Sequence, residues 1–213
     1  MLTENSFKNA KTALLVGAYL TTKDKEACDD NLIELERLCD TYGLQAVASV
    51  SCPIKKIDAG SFLGSGKLDE LLLQANELNA DIIVFDEEIT PNQQRNLEQF
   101  FKRPVIDRTE LIIEVFAQRA QTREARLQIE LAKVKYQLPR LKRMWTHLSK
   151  QYGGIGARGP GETQIETDRR MVRNRIADLQ EKIAAVARQK HEQRKGRQSL
   201  PRFALVGYTN VGK

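Results

Sequence analysis

Cysteine is scarce in this sequence of 213 residues, and the few cysteines are widely spaced. Cys28, Cys39 and Cys52 form an odd set without a C-x-x-C pair, which argues against a disulfide framework and against a zinc knuckle. No other motif predicts a metal site in this chain. We therefore expect reduced thiols, as in a cytoplasmic protein.

Long apolar runs are also missing. No stretch of the sequence approaches the roughly 20 consecutive apolar residues that span a bilayer. The first apolar stretch, TALLVGAYL, follows no basic segment and precedes no small-residue cleavage site, so it does not resemble an export signal. The sequence predicts a cytoplasmic protein without a membrane span.

Charge is divided unevenly along the chain. Residues 1–118 carry 12 Lys and Arg against 20 Asp and Glu, a net charge of −8, whereas residues 119–197 carry 20 against 8, a net charge of +12. Such asymmetry favours a polyanionic partner for the basic segment. A solvated, charged helix is the alternative explanation.

The first 118 residues alternate between strand and helix patterns. Short apolar runs predict four strands, at 12–19, 44–51, 81–86 and 103–108. Amphipathic patterns predict helices at 24–42, 67–79 and 91–101, and a fourth from about 109. Strict alternation predicts an α/β domain at 1–118, with a small parallel four-stranded sheet and flanking helices.

The apolar period changes after the α/β pattern and becomes heptad-like. One series of apolar residues comprises Leu127, Leu131, Val134, Leu138, Leu141, Trp145 and Leu148, and a second comprises Ile165, Val172, Ile176, Leu179, Ile183 and Val186. A glycine-rich stretch at 152–164 separates them. The pattern predicts a long antiparallel α-helical hairpin at 119–197, coiled-coil-like, with a glycine-rich tip.

Two local signals refine this hairpin. Pro139 removes a backbone donor and is expected to kink the first helix. Thr163 and Glu166 have the spacing of a capping box, which predicts that the second helix begins at Thr163.

The tip and arms of the hairpin hold candidate RNA-binding residues. Glycines allow close approach of the backbone to folded RNA, and Arg158 at the tip is suited to a phosphate or a base. The arms add five arginines, so that the full set is Gly153, Gly154, Arg158, Gly159, Gly161, Arg140, Arg143, Arg169, Arg170 and Arg173. A simple connector between coiled-coil arms is the alternative, although two to five residues are enough for that.

The C-terminal segment, 198–213, contains a phosphate-binding motif. The residues Gly207, Tyr208, Thr209, Asn210, Val211, Gly212 and Lys213 fit G-x-x-x-x-G-K and follow the apolar run RFALV. The next residue of such a loop is the Ser or Thr that holds Mg²⁺, and the sequence stops before it. We therefore expect a fragment with an incomplete nucleotide site.

A second glycine-lysine cluster lies at Gly64, Gly66 and Lys67, between a predicted strand and a predicted helix. Ligands often bind outside the carboxyl ends of strands in α/β folds, so a phosphate or ATP role is one hypothesis. The spacing departs from a phosphate-binding loop, and a turn that uses glycine for unusual backbone angles is the other hypothesis.

The run GGIGARGPGETQIETDRR at 153–170, with LPRL before it and GYTNVGK after it, resembles the HflX-type GTPases. FLGSGKLDEL at 62–71 is similar to the glycine loop of that family's first domain. The resemblance implies an α/β domain, a helical hairpin and a GTPase domain that binds GTP and Mg²⁺. It also implies binding to rRNA of the large ribosomal subunit and ribosome splitting or rescue under stress, and for some members ATP binding by the N-terminal region.

The family's later GTPase motifs, D-x-x-G after the phosphate loop and N-K-x-D, do not occur within these 213 residues. We expect the chain as it stands not to hydrolyse GTP, and we expect a monomer. Two alternatives stay open at this point, an ATP-binding or ATP-hydrolysing α/β domain and a dimerising coiled-coil module.

Overall fold

A computed structural model of the chain describes residues 9–144 and 160–195, with side chains outside 141–168. The predicted tip residues at 152–159 and the phosphate-binding segment at 198–213 lie outside the described residues, as does the side chain of Arg143.

The N-terminal part is an α/β domain in which strands and helices alternate. Its elements are β1 Thr12–Tyr19, α1 Asp24–Tyr42, β2 Gln45–Pro53, α2 Ser65–Glu77, β3 Ile82–Phe85, α3 Pro91–Phe101, β4 Val105–Asp107 and α4 Arg108–Arg119. All neighbouring strands are parallel, in the order β2-β1-β3-β4. The predicted parallel four-stranded sheet with flanking helices is confirmed.

The sheet has a hydrophobic core on each face because β1 and β3 are buried on both sides. Leu14 and Val16 of β1 point to the core formed with α2 and α3, and Ala13 and Leu15 point to the core formed with α1 and α4. Successive strand residues face opposite sides, so an unbroken apolar run serves both cores. This explains why TALLV lacks any polar alternation.

The start of α3 follows the sequence signals closely. Thr90 accepts a hydrogen bond from the amide of Gln93, and the Gln93 side chain accepts one from the Thr90 amide at 2.9 Å. Pro91 occupies the first helical position, where the lost donor has no intrahelical partner. This capping box fixes the loop between β3 and α3, to which the hairpin binds.

The hairpin consists of α5 Arg123–Met144 and α6 Pro160–Lys195. The ion pairs Glu124–Lys190 and Glu130–Arg175 cross between the two helices and show that they are antiparallel. Leu179 is fully buried, and the other described heptad residues are half-buried. No helix among the described residues is long and apolar enough to cross a membrane.

Two predictions concern the course of α5 at Pro139 and the start of α6. The chain of α5 stays helical through Pro139 to Met144. The prediction that α6 begins at Thr163 is wrong, because the chain is already helical at Pro160. Proline is favoured in the first turn of a helix, so GPGET is a start signal that the capping-box pattern hid.

We predict that Gly17→Ala destabilises the α/β domain by about 1–3 kcal/mol, as overpacking in a full core does. A Cβ at Gly17 of β1 would lie 2.7 Å from Cys28 Sγ and 3.1 Å from Leu32 Cγ. Urea unfolding measures the loss. Gly66→Ala, which meets nothing within 4 Å, is the matched control.

The cost of Gly17→Ala should shrink when it is introduced into a Cys28→Ala chain, because the closest atom is then gone. An equal cost in both chains would show that the close contact with Cys28 is not the cause.

Candidate nucleic-acid interface

Arg140 of α5 is the centre of the contact between the hairpin and the α/β domain. Its Nη2 donates to Asp107 Oδ2 at 3.2 Å and to the carbonyl oxygen of Ile89 at 3.1 Å. Its Nε donates to Gln94 Oε1 at 2.8 Å, and its guanidinium carbon lies 3.4 Å from the centre of the Tyr136 ring. One side chain therefore joins the hairpin to β4, to α3 and to the loop before α3.

Asp107, which receives Arg140, is itself held rigidly. It is the last residue of β4, it is fully buried, and its Oδ1 accepts from the Glu110 amide at 2.9 Å, which caps α4. An ionised carboxylate is costly to bury unless it is paired and hydrogen-bonded. Arg140 supplies that compensation, so docking of the hairpin and folding of the sheet edge depend on each other.

Glu110 adds a second buried carboxyl group to this contact. Its Oε2 accepts from the hydroxyl of Tyr136 and from Gln94 Nε2, each at 3.2 Å. Burial and, to a smaller extent, the nearby carboxylate of Asp107 raise the pKa of Glu110 to about 7. We refer to Arg140, Asp107, Gln94, Tyr136 and Glu110 as the Arg140 cluster.

A third carboxyl group lies next to this contact, on α3. Burial raises the pKa of Glu98 to about 7.

Farther along the hairpin, Lys133 Nζ donates to Glu114 Oε1 at 2.5 Å and gives a second link between α5 and α4. The hairpin is thus fixed at two points on the α/β domain.

These contacts change the role of one predicted RNA-binding residue. Arg140 has a side chain that is only 15% exposed, and its donors are directed to protein oxygens. We therefore remove Arg140 from the RNA-facing set and assign it to the docking of the hairpin.

The remaining cations of the hairpin fall into two groups. Several form ion pairs within the hairpin, namely Arg175 with Glu130 and Asp178, Lys182 with Asp178, Lys190 with Glu124, and Lys195 with Glu192. The other exposed cations of these two helices form no ion pair with a described residue, and these are Arg123, Arg126, Lys135, Arg170, Arg173, Arg188 and Arg194. Arg169 is half-buried and makes a contact of its own.

Most of the described carboxylates of the hairpin are therefore engaged in ion pairs. Several arginines form no such pair. Arg170 and Arg173 lie in the part of α6 that leads from the tip, on its exposed surface. Two of the predicted candidates thus have the exposure that an RNA contact requires. Gly161 belongs to the first turn of α6.

The structure brings Gly64, Gly66 and Lys67 together at the start of α2. Gly64 precedes the helix in an extended conformation, and the helix has no side-chain cap. Neither Gly64 nor Gly66 has a positive φ, so the turn hypothesis loses its reason for glycine. Lys67 forms an ion pair with Glu70 on the same helix.

The acidic residues after β3 have structural roles. Asp86 pairs with Arg108 at 3.0 Å, and Glu87 Oε1 accepts from the amide of Ala18 at 2.7 Å, which ties the ends of β1 and β3 together. Burial raises the pKa of Glu87. Within residues 9–144 and 160–195, no group of three or more His, Cys, Asp or Glu could hold a metal ion.

Sequence reasoning missed most of the Arg140 cluster. Gln94, Glu110 and Tyr136 belong to no recognisable motif, and Asp107 lies within the predicted strand at 103–108. Asp107 followed by Arg-Thr-Glu110 does have the spacing of a helix cap, and Tyr136 precedes Arg140 by one helical turn. Those local signals were available, but none indicated which face of α5 meets the sheet.

The α/β domain and the basic hairpin match two successive regions of a class of GTPases. Residues 29–117 match the family described as GTP-binding GTPase N-terminal, and residues 119–197 match the GTP-binding GTPase middle region.

The chain belongs to the HflX family of GTPases. It is 48% identical over 205 residues to GTPase HflX of Flavobacterium psychrophilum, covering 96% of this chain and 50% of that protein. It is 44% identical over 203 residues to GTPase HflX of Escherichia coli, covering 94% of this chain and 47% of that protein. The chain spans about half the length of these relatives.

Solved structures share the fold. A crystal structure described as a complex of SsGBP with GDP matches with a TM-score of 0.60 at 22% identity, over 85% of this chain and 46% of that one. A GTP-binding protein from Sulfolobus solfataricus, also in complex with GDP, matches with a TM-score of 0.56 at 21% identity, over 83% and 46%.

We predict that Arg140→Met destabilises the chain by roughly 3 kcal/mol or more, because it leaves Asp107 buried without its cation. Urea unfolding followed by circular dichroism measures the loss. Lys135→Met removes an exposed cation from the same helix and is expected to change stability by less than about 0.5 kcal/mol. Equal effects of the two substitutions would contradict the role given to Arg140.

We also predict a pH dependence of stability from Glu110 and Glu98. Their pKa of about 7 in the folded chain lies above the ordinary glutamate value of 4.5, so the folded state binds more protons between these values. Their contribution to the free energy of unfolding therefore falls as pH rises from about 4.5 to 7 and is constant above that.

Glu110→Gln tests this dependence because it keeps an acceptor for Tyr136 but cannot ionise. We expect a shallower fall in stability across this pH range, and a still shallower one when Glu98→Gln is added. Unfolding curves at several pH values provide the measurement. A slope that neither substitution changes would show that other groups are responsible.

Proposed function

We propose that this chain is the ribosome-binding part of an HflX-type GTPase, and that its hairpin binds rRNA of the large ribosomal subunit. The observation that carries the proposal is the division of the charged residues of the hairpin into those that form ion pairs and those that do not. Its described carboxylates are largely engaged with Lys and Arg of the hairpin itself, whereas Arg170 and Arg173 are exposed and form no ion pair with a described residue.

The physical basis is the release of counterions from RNA phosphates. Each exposed arginine that replaces a condensed cation adds affinity that decreases with salt. The α/β domain carries net negative charge and is repelled by RNA, so the molecule is expected to approach with its hairpin first. Docking through Arg140 then fixes how far the hairpin extends beyond the domain.

The tip supplies the closest contacts in this proposal. Gly153, Gly154 and Gly159 let the backbone approach folded RNA, and Arg158 contacts a phosphate or stacks on a base. Arg143 and Arg169 extend the basic surface along the arms. We propose that a contact of this kind lets the complete protein split or rescue stalled ribosomes under stress, in the cytoplasm.

The residues Gly207 to Lys213 begin the GTP site in this proposal. Their amides and the Lys213 ammonium would hold the phosphates, and the Ser or Thr that follows in complete proteins would hold Mg²⁺. Crystal structures of GTP-binding relatives with GDP support nucleotide binding by the family.

Two other functions have weaker support in the structure. ATP binding at Gly64, Gly66 and Lys67 stays a prediction, supported by the uncapped helix start and opposed by the pairing of Lys67 with Glu70. A dimerising coiled coil is disfavoured because α5 and α6 lie against each other within one chain, where Arg175 pairs with Glu130 and Lys190 with Glu124. We therefore propose a monomer.

We predict that an Arg170→Gln, Arg173→Gln double variant binds large ribosomal subunits more weakly, with a salt slope reduced by roughly 1 to 2. Pelleting the chain with purified subunits over a salt series measures both quantities. Arg175→Gln is the matched control, because its guanidinium is engaged with Glu130 and Asp178.

The control is expected to bind as the unchanged chain does and to keep its salt slope. Binding by the unchanged chain without any salt dependence would refute the proposal. An equal loss of binding in the Arg170→Gln, Arg173→Gln variant and in the Arg175→Gln variant would refute the distinction between exposed and ion-paired arginines.

A further inference from the structure

The two edges of the sheet differ in a way that the proposed function does not explain. β4 is three residues long and ends at Asp107, beneath Arg140 of the hairpin. β2 is nine residues long, QAVASVSCP, and contains no charged residue. No strand pairs with the outer side of β2 within the part of the chain that the structure describes.

Proteins usually protect sheet edges by keeping them short, by placing charges on them or by covering them. β4 is protected by its length and by the hairpin. β2 has one protective feature, a register shift where Leu14 follows Ala13 in β1, and from Ala48 onward its pairing with β1 is regular. The stretch from Ala48 to Pro53 is therefore open to an added strand.

Backbone direction along this stretch follows from one hydrogen bond. The Ile54 amide donates to the Tyr19 carbonyl oxygen of β1 at 2.9 Å. Because alternate residues of a strand direct their backbone groups to the same side, those of Ser51 and Ser49 point away from β1. The backbone of Pro53 also points to the outer side. The N–H donor that proline lacks would therefore not have bonded to β1.

A groove of about 680 Å³ lies beside the beginning of β2, where α1 ends. Ile33 and Leu44 contribute apolar surface to it, and Ile33 is 50% exposed. Glu36 and Asp40 of α1 add two carboxylates to the same groove, against the one cation of Arg37. An extended chain on β2 would have room for side chains here.

The charge of α1 indicates which kind of polypeptide would bind at the edge of β2. α1 contains seven Asp and Glu against two Lys and Arg, a net charge of −5. A second copy paired edge to edge would bring two such helices together, which like charge opposes. A basic segment would instead gain from Glu36 and Asp40 in the groove.

We propose that the open edge of β2 binds a basic, extended polypeptide segment as a fifth strand of the sheet. The backbone groups of Ser49 and Ser51 pair with the segment, its apolar side chains lie against Ile33, and its Lys or Arg side chains meet Glu36 and Asp40. This mode of binding is β-strand addition, in which main-chain hydrogen bonds supply affinity and neighbouring pockets supply specificity. The proposal does not depend on RNA binding by the hairpin.

The test uses a heptapeptide of alternating Lys and Val, titrated into the full 213-residue chain by calorimetry. We expect binding, with slower amide exchange at Ser49 and Ser51. The fully N-methylated peptide has the same charge and side chains but no backbone donors, and it should bind at least about tenfold more weakly. Equal binding of both peptides would overturn the proposal, because charge alone would then explain the affinity.

Charge is tested with a Glu36→Gln, Asp40→Gln variant, which should bind the peptide several-fold more weakly. The matched control, Asp69→Gln with Glu77→Gln, removes two exposed carboxylates from α2 and should leave binding within about twofold. Equal losses in the two variants would show attraction by net charge rather than a site beside β2.

Two results with the free chain would also overturn the proposal. A dimer in sedimentation, with Ser49 and Ser51 amides already protected, would assign the edge to a second copy. Protection in a monomer that disappears when residues 1–8 are deleted would assign the edge to the chain's own N-terminus.

Discussion

The contact between Arg140 and Asp107 is the interaction on which the arrangement of this chain depends. Asp107 is fully buried at the end of β4 and at the start of α4, so its charge must be compensated inside the protein. Arg140 provides that charge from α5 and also bonds Gln94 and the Ile89 carbonyl. A hairpin that could otherwise point in many directions is thereby fixed to the sheet.

The same contact explains how one chain combines two opposite charges. The acidic α/β domain holds α5 through Arg140 and Lys133, and the exposed Arg170 and Arg173 lie on the part of α6 that follows the glycine-rich stretch in sequence. Within the hairpin, cross-helix pairs such as Glu130–Arg175 bind the two arms together. Arginines that hold the structure together and arginines available to a partner are therefore told apart by their contacts, because the residue type is the same.

Much of the fold could be predicted because local signals and the global fold agree. The bounds of β1, α1 and α3 follow directly from apolar runs and caps, and the heptad spacing located both arms of the hairpin. The site was harder, because helical spacing places Arg140 on α5 but does not tell which face meets the sheet. That choice depends on Asp107, Gln94 and Ile89, which are 33 to 51 residues away in sequence.

The central claim is that the Arg140 cluster fixes the hairpin rigidly on the α/β domain. Spin labels at Leu73→Cys on α2 and Ala187→Cys on α6 occupy exposed positions, whereas the three native cysteines are buried. Pulsed electron paramagnetic resonance then reports the distance between the two units. The account predicts one narrow distance distribution that broadens when Arg140→Met is added, and a broad distribution already present with Arg140 intact would contradict it.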